Sequence, residues 1–198
     1  MSDQAKLPKD SGSARSELFA LQVEQHYHDE NYHREIARLS LHQRLNHLAL
    51  HFAKYTAKIA VADETAALNA VYVDVLIIAL STANVVNVEL FDLLEKDGRE
   101  FPGLLRFAQS LAANVQTVIG DRYALLRETA IASGRMAATC EKIDHLEEIS
   151  FRAEIRDCIA QISRIALAFL SSNGIDPMQG VRDRLSRVKK RLKLHGRI

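Results

Sequence analysis

Between residues 44 and 58, cationic side chains recur at three- and four-residue steps: Arg44, His47, His51, Lys54 and Lys58. On a helix that spacing lines them up along one side. Two imidazoles four residues apart can share a divalent metal, while Arg44, Lys54 and Lys58 can receive phosphate oxygens. The carboxylate nearest to hand is Asp74, alone in the apolar run VYVDVLIIAL. In an antiparallel hairpin turning near residue 63, Asp74 comes level with residue 52 and so faces His51 and Lys54. An unpaired buried charge is very costly, so Asp74 needs a partner. One reading gathers Asp74, His47 and His51 around a metal, with Asp74, His51 and Lys54 at the chemistry. The other is a structural pair of Asp74 with Lys54 or His51 under a solvated face.

A second group is acidic. With a turn near residue 149, Asp144 comes opposite Glu154 and Glu141 opposite Asp157. Four converging carboxylates would suit Mg²⁺ or Mn²⁺, which bridge phosphates and activate water. The alternative is ion pairing with Lys142, Arg152 and Arg156 on exposed helices, worth little per pair. A third group holds His26, His28, Asp29, Glu30 and His33. Helical phase puts His26, Glu30 and His33 on one side and His28 off it, which reads as a solvated or pH-sensitive face.

The elements that must position these residues are helical. Residues 1 to 14 are small and polar and read as disordered, after which Ser13 or Ser16 starts a helix to about Leu39 with Phe19, Val23, Tyr27 and Ile36 on its apolar side. Leu41, Leu45, Leu48, Phe52, Tyr55 and Ile59 define one face of the next helix. Asp63 is a good N-cap for a helix to about Asn87, apolar nearly all round and hence central. A short helix spans 89 to 96. Pro102 opens one ending near Gly120, Asp121 caps one to about Glu147, and Ser150 caps one stopping at Asn173-Gly174. A last helix carries the basic tail. The expected architecture is an all-α bundle of six to seven helices over residues 15 to 181, with two hairpins, 41–87 and 122–173, as pseudo-repeats. Asn87-Val88-Glu89 and Gly174-Ile175-Asp176 occupy equivalent places in them.

Composition agrees. The chain has 198 residues, 8 Gly and 3 Pro, and is 47% hydrophobic, which disfavours collagen or a turn-dense β-sandwich and gives enough chain for a core. Cys140 and Cys158 lack metal or redox spacing and read as free thiols. No apolar leader opens the sequence, and the stretch from Val71 to Val88 is interrupted by Asp74, Asn84 and Asn87, so a cytoplasmic protein outside the membrane is expected. The formal charge of +1 divides unevenly: residues 182–198 hold eight Lys or Arg against Asp183. Arg184, Arg187, Lys190 and Arg191 share a helix face able to meet nucleic-acid phosphates, an acidic partner or the acidic body of the chain. No phosphate-binding glycine loop, nucleophile elbow or zinc-finger spacing is present.

The segment DVLIIALSTANVVNVEL, Asp74 to Leu90, resembles the metal-binding helix of the MazG-like all-α nucleoside triphosphate pyrophosphatases. There an Asp begins an apolar helix that ends in a small-residue turn, the place held here by Asn87-Val88-Glu89-Leu90. The preceding LNHLALHFAKYTAKIA has the position and amphipathic form of that family's first helix, and the match covers about fifty residues. The family pattern has further acids where this chain has His47, His51, Lys54 and Val71. Glu141-x-x-Asp144, Glu154-x-x-Asp157 and Gly174-Ile175-Asp176 imitate its motifs a second time. The resemblance implies hydrolysis of a nucleoside triphosphate to monophosphate and pyrophosphate, with Mg²⁺ or Mn²⁺ on acidic side chains, a metal-activated water, and Lys and Arg on the phosphates. It also implies a homo-oligomer, or a tandem copy replacing one. The competing expectation is a non-catalytic helical interaction protein whose basic tail contacts nucleic acid or an acidic partner.

Overall fold

The computed structural model describes residues 12–191, and Arg191 by its backbone alone. Residues 1–11 and the tail cations Lys193 and Arg197 lie outside the described residues. Of the two expected starts, Ser13 caps the first helix, its hydroxyl accepting from the Ser16 N–H; Ala14, placed with the disordered N-terminus by composition, is instead buried with its N–H on Phe101 O at 3.0 Å.

Among the described residues the chain is all-α: ten helices and no strand. They are α1 (Ala14–Tyr32), α2 (Arg34–Ala37), α3 (Leu41–Val61), α4 (Thr65–Val85), α5 (Leu90–Leu94), α6 (Leu104–Asn114), α7 (Gln116–Ile119), α8 (Arg122–Asp144), α9 (Phe151–Ser172) and α10 (Pro177–Arg191). The expected six to seven, with the last helix of the tail counted beside them, fall short of ten because two expected helices are broken. His33 (φ −132°, ψ 44°) separates α1 from α2, and Val115 (φ −126°, ψ 24°) separates α6 from α7. Both are weak helix formers, and both leave the helical region while their N–H groups still close onto Asp29 O and Ala112 O.

The longest helices make the core. Helix α3 packs on α4 and α8, and α9 packs on α4, α8 and α6, so that α3, α4, α9 and α8 form a ring of four. Helix α4 is buried along most of its length, from Leu68 and Tyr72 to Ala83. It is long and apolar enough to cross a membrane, and 72% of that apolar window is buried inside the protein, as in a core helix. The Tyr72 hydroxyl pairs with Thr129 Oγ1 at 3.0 Å inside this core, and Thr129 donates to Leu125 O. Helix α3 buries Leu45, Leu48, Phe52, Tyr55 and Ile59, the face its apolar spacing defines, although Leu41 stays half exposed. Its start is a capping box: Ser40 Oγ accepts from the Gln43 N–H, and Gln43 Oε1 accepts from the Ser40 N–H.

Four local expectations are corrected. Helix α4 begins after Glu64, and Asp63 is 94% exposed beside Arg122. Ser150 stands at the α9 N-cap without a side-chain bond, and Gly103 rather than Pro102 precedes α6. Helix α1 buries Leu18, Leu21, Gln22, Gln25 and His28 and leaves Phe19 and Tyr27 substantially exposed. The polar lock of Gln22 explains that rotation: its Nε2 donates to Asn84 Oδ1 and Val88 O, and its Oε1 accepts from the Leu90 N–H at 2.8 Å. Three satisfied bonds hold a polar residue inside, where periodicity alone would have placed Phe19.

The ends of α4 and α9 close alike. Asn87 (φ 56°) and Gly174 (φ 72°) both adopt the left-handed conformation. After each, one N–H reaches back five residues, Val88 to Ala83 O at 3.1 Å and Ile175 to Leu170 O at 2.9 Å. This is the Schellman closure of a helix end.

Candidate functional site

Asp74 is held by Arg184. The Arg184 Nε donates to Asp74 Oδ1 at 2.5 Å and its Nη2 to Oδ2 at 3.1 Å, a two-pronged bond in which the carboxylate is 13% and the guanidinium 28% exposed. The carboxylate raises the pKa of Arg184 further, chiefly through this hydrogen bond. The expected partners Lys54 and His51 therefore do not neutralise Asp74; the C-terminal helix does. Local sequence sets this up. Asp176 Oδ1 accepts from the Met178 and Gln179 N–H groups, and Pro177 supplies a preset first turn, so α10 starts directly after the α9 turn. Gly180 then lies so close to α4 that an added Cβ would stand 3.3 Å from Val73 Cγ2. Arg184, one turn further along the same face, comes down on Asp74 beside Val73.

Next to this pair α3 presents a chain of nitrogen atoms. Lys54 Nζ stands 3.0 Å from His51 Nδ1, and His51 Nε2 stands 3.1 Å from His47 Nε2. With the ammonium donating to Nδ1, neutral His51 carries its proton on Nε2 and donates to His47, whose proton then sits on Nδ1. Burial, and after it the charge of Lys54, pushes His51 down to about 4 and lowers His47 as well. Both rings are neutral at pH 7. Lys54 is itself lowered, by burial and then by Lys58, and its ammonium lies 4.5 Å from the Tyr55 ring centroid. Burial pushes the Tyr55 phenol up to about 12, with Asp74 adding to the shift.

His47, His51, Asp74 and Arg184 line a cavity of about 330 Å³ between α1, α3, α4 and α10. Its apolar wall includes Leu48, Ile77, Ile78 and Leu185, and α1 contributes His28 and Asp29, with His33 at its end. Asp29 is fixed by Gln25 Nε2 and by the Ser81 hydroxyl, each at 2.8 Å. Asp74 and Arg184 also line a second cavity of about 640 Å³ on the far side, bounded by Asn69, Gly174 and Asp176. The ion pair thus forms the partition between two spaces. The histidine phase expected for α1 holds for His26 and Glu30, which lie exposed, and for His28, which is off that side and buried; it departs at His33, where the helix ends and the ring stands 5.5 Å from that of His28.

The remaining candidates lie apart. Arg44 and Lys58 do not line this cavity, and Lys58 sits over Tyr55. The acidic quartet of the second hairpin is dispersed. Glu154 pairs with Arg135 at 3.0 Å, with Asp157 adding its charge there, Asp144 pairs with His42, and Glu141 lies 3.9 Å from His145. The cations are not the expected Lys142, Arg152 and Arg156. Arg152 donates instead to Val86 O, because the α8 and α9 registers bring other side chains opposite the acids. Among the described residues no three His, Cys, Asp or Glu side chains form a group able to hold a metal. The donors present do not fit the implied Mg²⁺ or Mn²⁺: both Asp74 oxygens are engaged by Arg184, those of Asp29 by Gln25 and Ser81, and His47 and His51 offer nitrogen, whereas Mg²⁺ takes oxygens in near-octahedral array.

Of the three partners open to the Arg184 face in the sequence, nucleic-acid phosphates, an acidic partner or the acidic body of the chain, Arg184 itself takes the last, at Asp74. The signal was half present, since a carboxylate within an apolar helix demands a cation, but nothing in the linear spacing selects one 110 residues away. No protein-family model, curated protein or solved structure matches this chain.

Proposed function

We propose that this chain binds a small phosphate-bearing ligand of nucleotide class in the cavity between α1, α3, α4 and α10. The observation that carries the reading is the Arg184 fork on Asp74. It fixes a guanidinium at the cavity edge using Nε and Nη2, and leaves Nη1 outside the pair for a phosphate oxygen. The apolar wall and the Tyr55 ring suit a planar base, and a volume of about 330 Å³ lies in the range of small-ligand sites. The resemblance of Asp74 to Leu90 to the MazG-like pyrophosphatases supports a nucleotide as the ligand. Binding, rather than pyrophosphohydrolysis, is the part of that relationship the donor set favours. We read hairpins α3–α4 and α8–α9 as pseudo-repeats, supported by their like turn closures. In that arrangement one chain supplies what a homo-oligomer otherwise would.

The test is calorimetry with nucleoside mono-, di- and triphosphates, with and without Mg²⁺, alongside pyrophosphate release. Arg184→Met is expected to weaken binding by roughly 2 kcal/mol, the scale of a charge-assisted hydrogen bond. Absence of binding by every phosphate compound overturns the proposal. Mg²⁺-dependent pyrophosphate release lost in Asp74→Ala would restore the hydrolase reading, with its metal at Asp74. A second reading rests on the exposure of Arg187 and Lys190 on α10. A helical interaction protein would use them on nucleic-acid phosphates, and salt-sensitive retention lost in Arg187→Glu/Lys190→Glu would mark it.

A further inference from the structure

The misfit between this donor set and Mg²⁺ has a positive side. His47 and His51 bring two imidazole Nε2 atoms to 3.1 Å on one turn of α3, at the wall of an accessible cavity. Two nitrogens bound to one Zn²⁺ at about 2.0–2.1 Å stand roughly 2.9 to 3.4 Å apart, according to whether the angle at the metal is nearer octahedral or tetrahedral. The pair is thus spaced as two ligands of one ion are, with the rings set edge to face, their centroids 4.6 Å apart.

We propose that His47 and His51 form a two-nitrogen chelate for a borderline divalent transition ion, Zn²⁺ or its Co²⁺ surrogate, which takes its remaining ligands from water or from a molecule in the cavity. Imidazole nitrogen suits such ions, while Mg²⁺ and Mn²⁺ prefer oxygen. Helical histidines at i and i+4 are a recurrent zinc pair because both project from one face. Both rings are already neutral, the form that ligates. His51 must turn its lone pair on Nε2 toward the ion, so its proton passes through solvent from Nε2 to Nδ1 without net release. Lys54, which now donates to Nδ1, must swing away. It is exposed and already leans over Tyr55, so that movement is available. Asp29, Glu35 and Asp74 line the same cavity and offset the added charge. With no third protein ligand in the group, the ion keeps open positions, the condition under which it can also grip a phosphate or carboxylate.

The inference needs no nucleotide, so its test uses the metal alone. The tag-free full chain, stripped with a chelator, is titrated with Zn²⁺ against a chromogenic competitor and with Co²⁺ by visible absorption. One equivalent is expected to bind, unaffected by excess Mg²⁺. His47→Gln and His51→Gln each weaken it by roughly tenfold or more, while the exposed control His26→Gln does not. Urea midpoints of the metal-free variants check folding. Nitrogen-15 shifts of the two rings report the ligating atoms directly: both Nε2 resonances move on Zn²⁺ addition. Retention of full affinity in the His47→Gln/His51→Gln double variant, or no saturable binding in the native chain, overturns the proposal.

Discussion

At the scale of single residues the site is governed by which charges burial permits. His28, His47 and His51 are each lowered by burial first, with His33 next for His28 and Lys54 next for the other two. A histidine whose folded pKa lies below its unfolded value of about 6.5 binds fewer protons when folded, so its contribution to stability is complete above that pH. That contribution is lost as the pH falls from about 6.5 to about 4, where His51 itself titrates. The urea midpoint of the metal-free chain is therefore expected to drop between about pH 7 and about pH 5, and to drop less in His51→Gln. An identical drop in the variant would locate the acid sensitivity elsewhere. The i, i+4 spacing of His47 and His51 was legible in the sequence because a helix converts spacing into proximity without help from the rest of the chain. The partner of Asp74 was not, because Lys54, His51 and Arg184 all satisfy the same electrostatic demand.

At the scale of elements, the boundaries follow local chemistry where a cap supplies it. Ser13 and Asp121 each accept from a first-turn N–H, and helices start where those residues predict, while Ser40 caps α3 in the same way. Where the helix ends depends on backbone freedom, and Gly174 shows it: at φ 72° it turns the chain from α9 into α10 and so sets the register that lands Arg184 on Asp74. Gly174→Ala meets no neighbouring atom, so its expected destabilisation of about 1 kcal/mol comes from the left-handed backbone alone. Gly134, mid-helix in α8 with open space around it, gives the opposite sign. Gly134→Ala is expected to stabilise by about 0.5–1 kcal/mol, and urea unfolding of the two variants checks both. The breaks at His33 and Val115 were not legible, since weak helix propensity at one residue rarely stops a helix by itself.

At the scale of the whole molecule, the ring of α3, α4, α9 and α8 determines what solvent can reach. Cys140 on α8 and Cys158 on α9 are buried free thiols, each pushed up to about 11 by burial. Neither is expected to react with a thiol reagent at about pH 8 in the native state, and both to react at once on unfolding in guanidinium. Reaction of one before the global transition would reveal a local opening of the α8–α9 layer. The apolar period of α3, the all-round apolarity of α4, the free cysteines and the all-α class were determined by the sequence itself, because periodicity and propensity act between residues a few positions apart. Tertiary structure alone decided three other things: that Gln22 displaces Phe19 from the buried face of α1, that the acidic quartet is shared out among Arg135, His42 and His145, and that Arg184 rather than Lys54 closes on Asp74. The physical reason is common to all three. Burial of a polar group is settled by whichever partner the packing of distant helices brings within hydrogen-bond reach, and that distance is not written in the spacing of the chain.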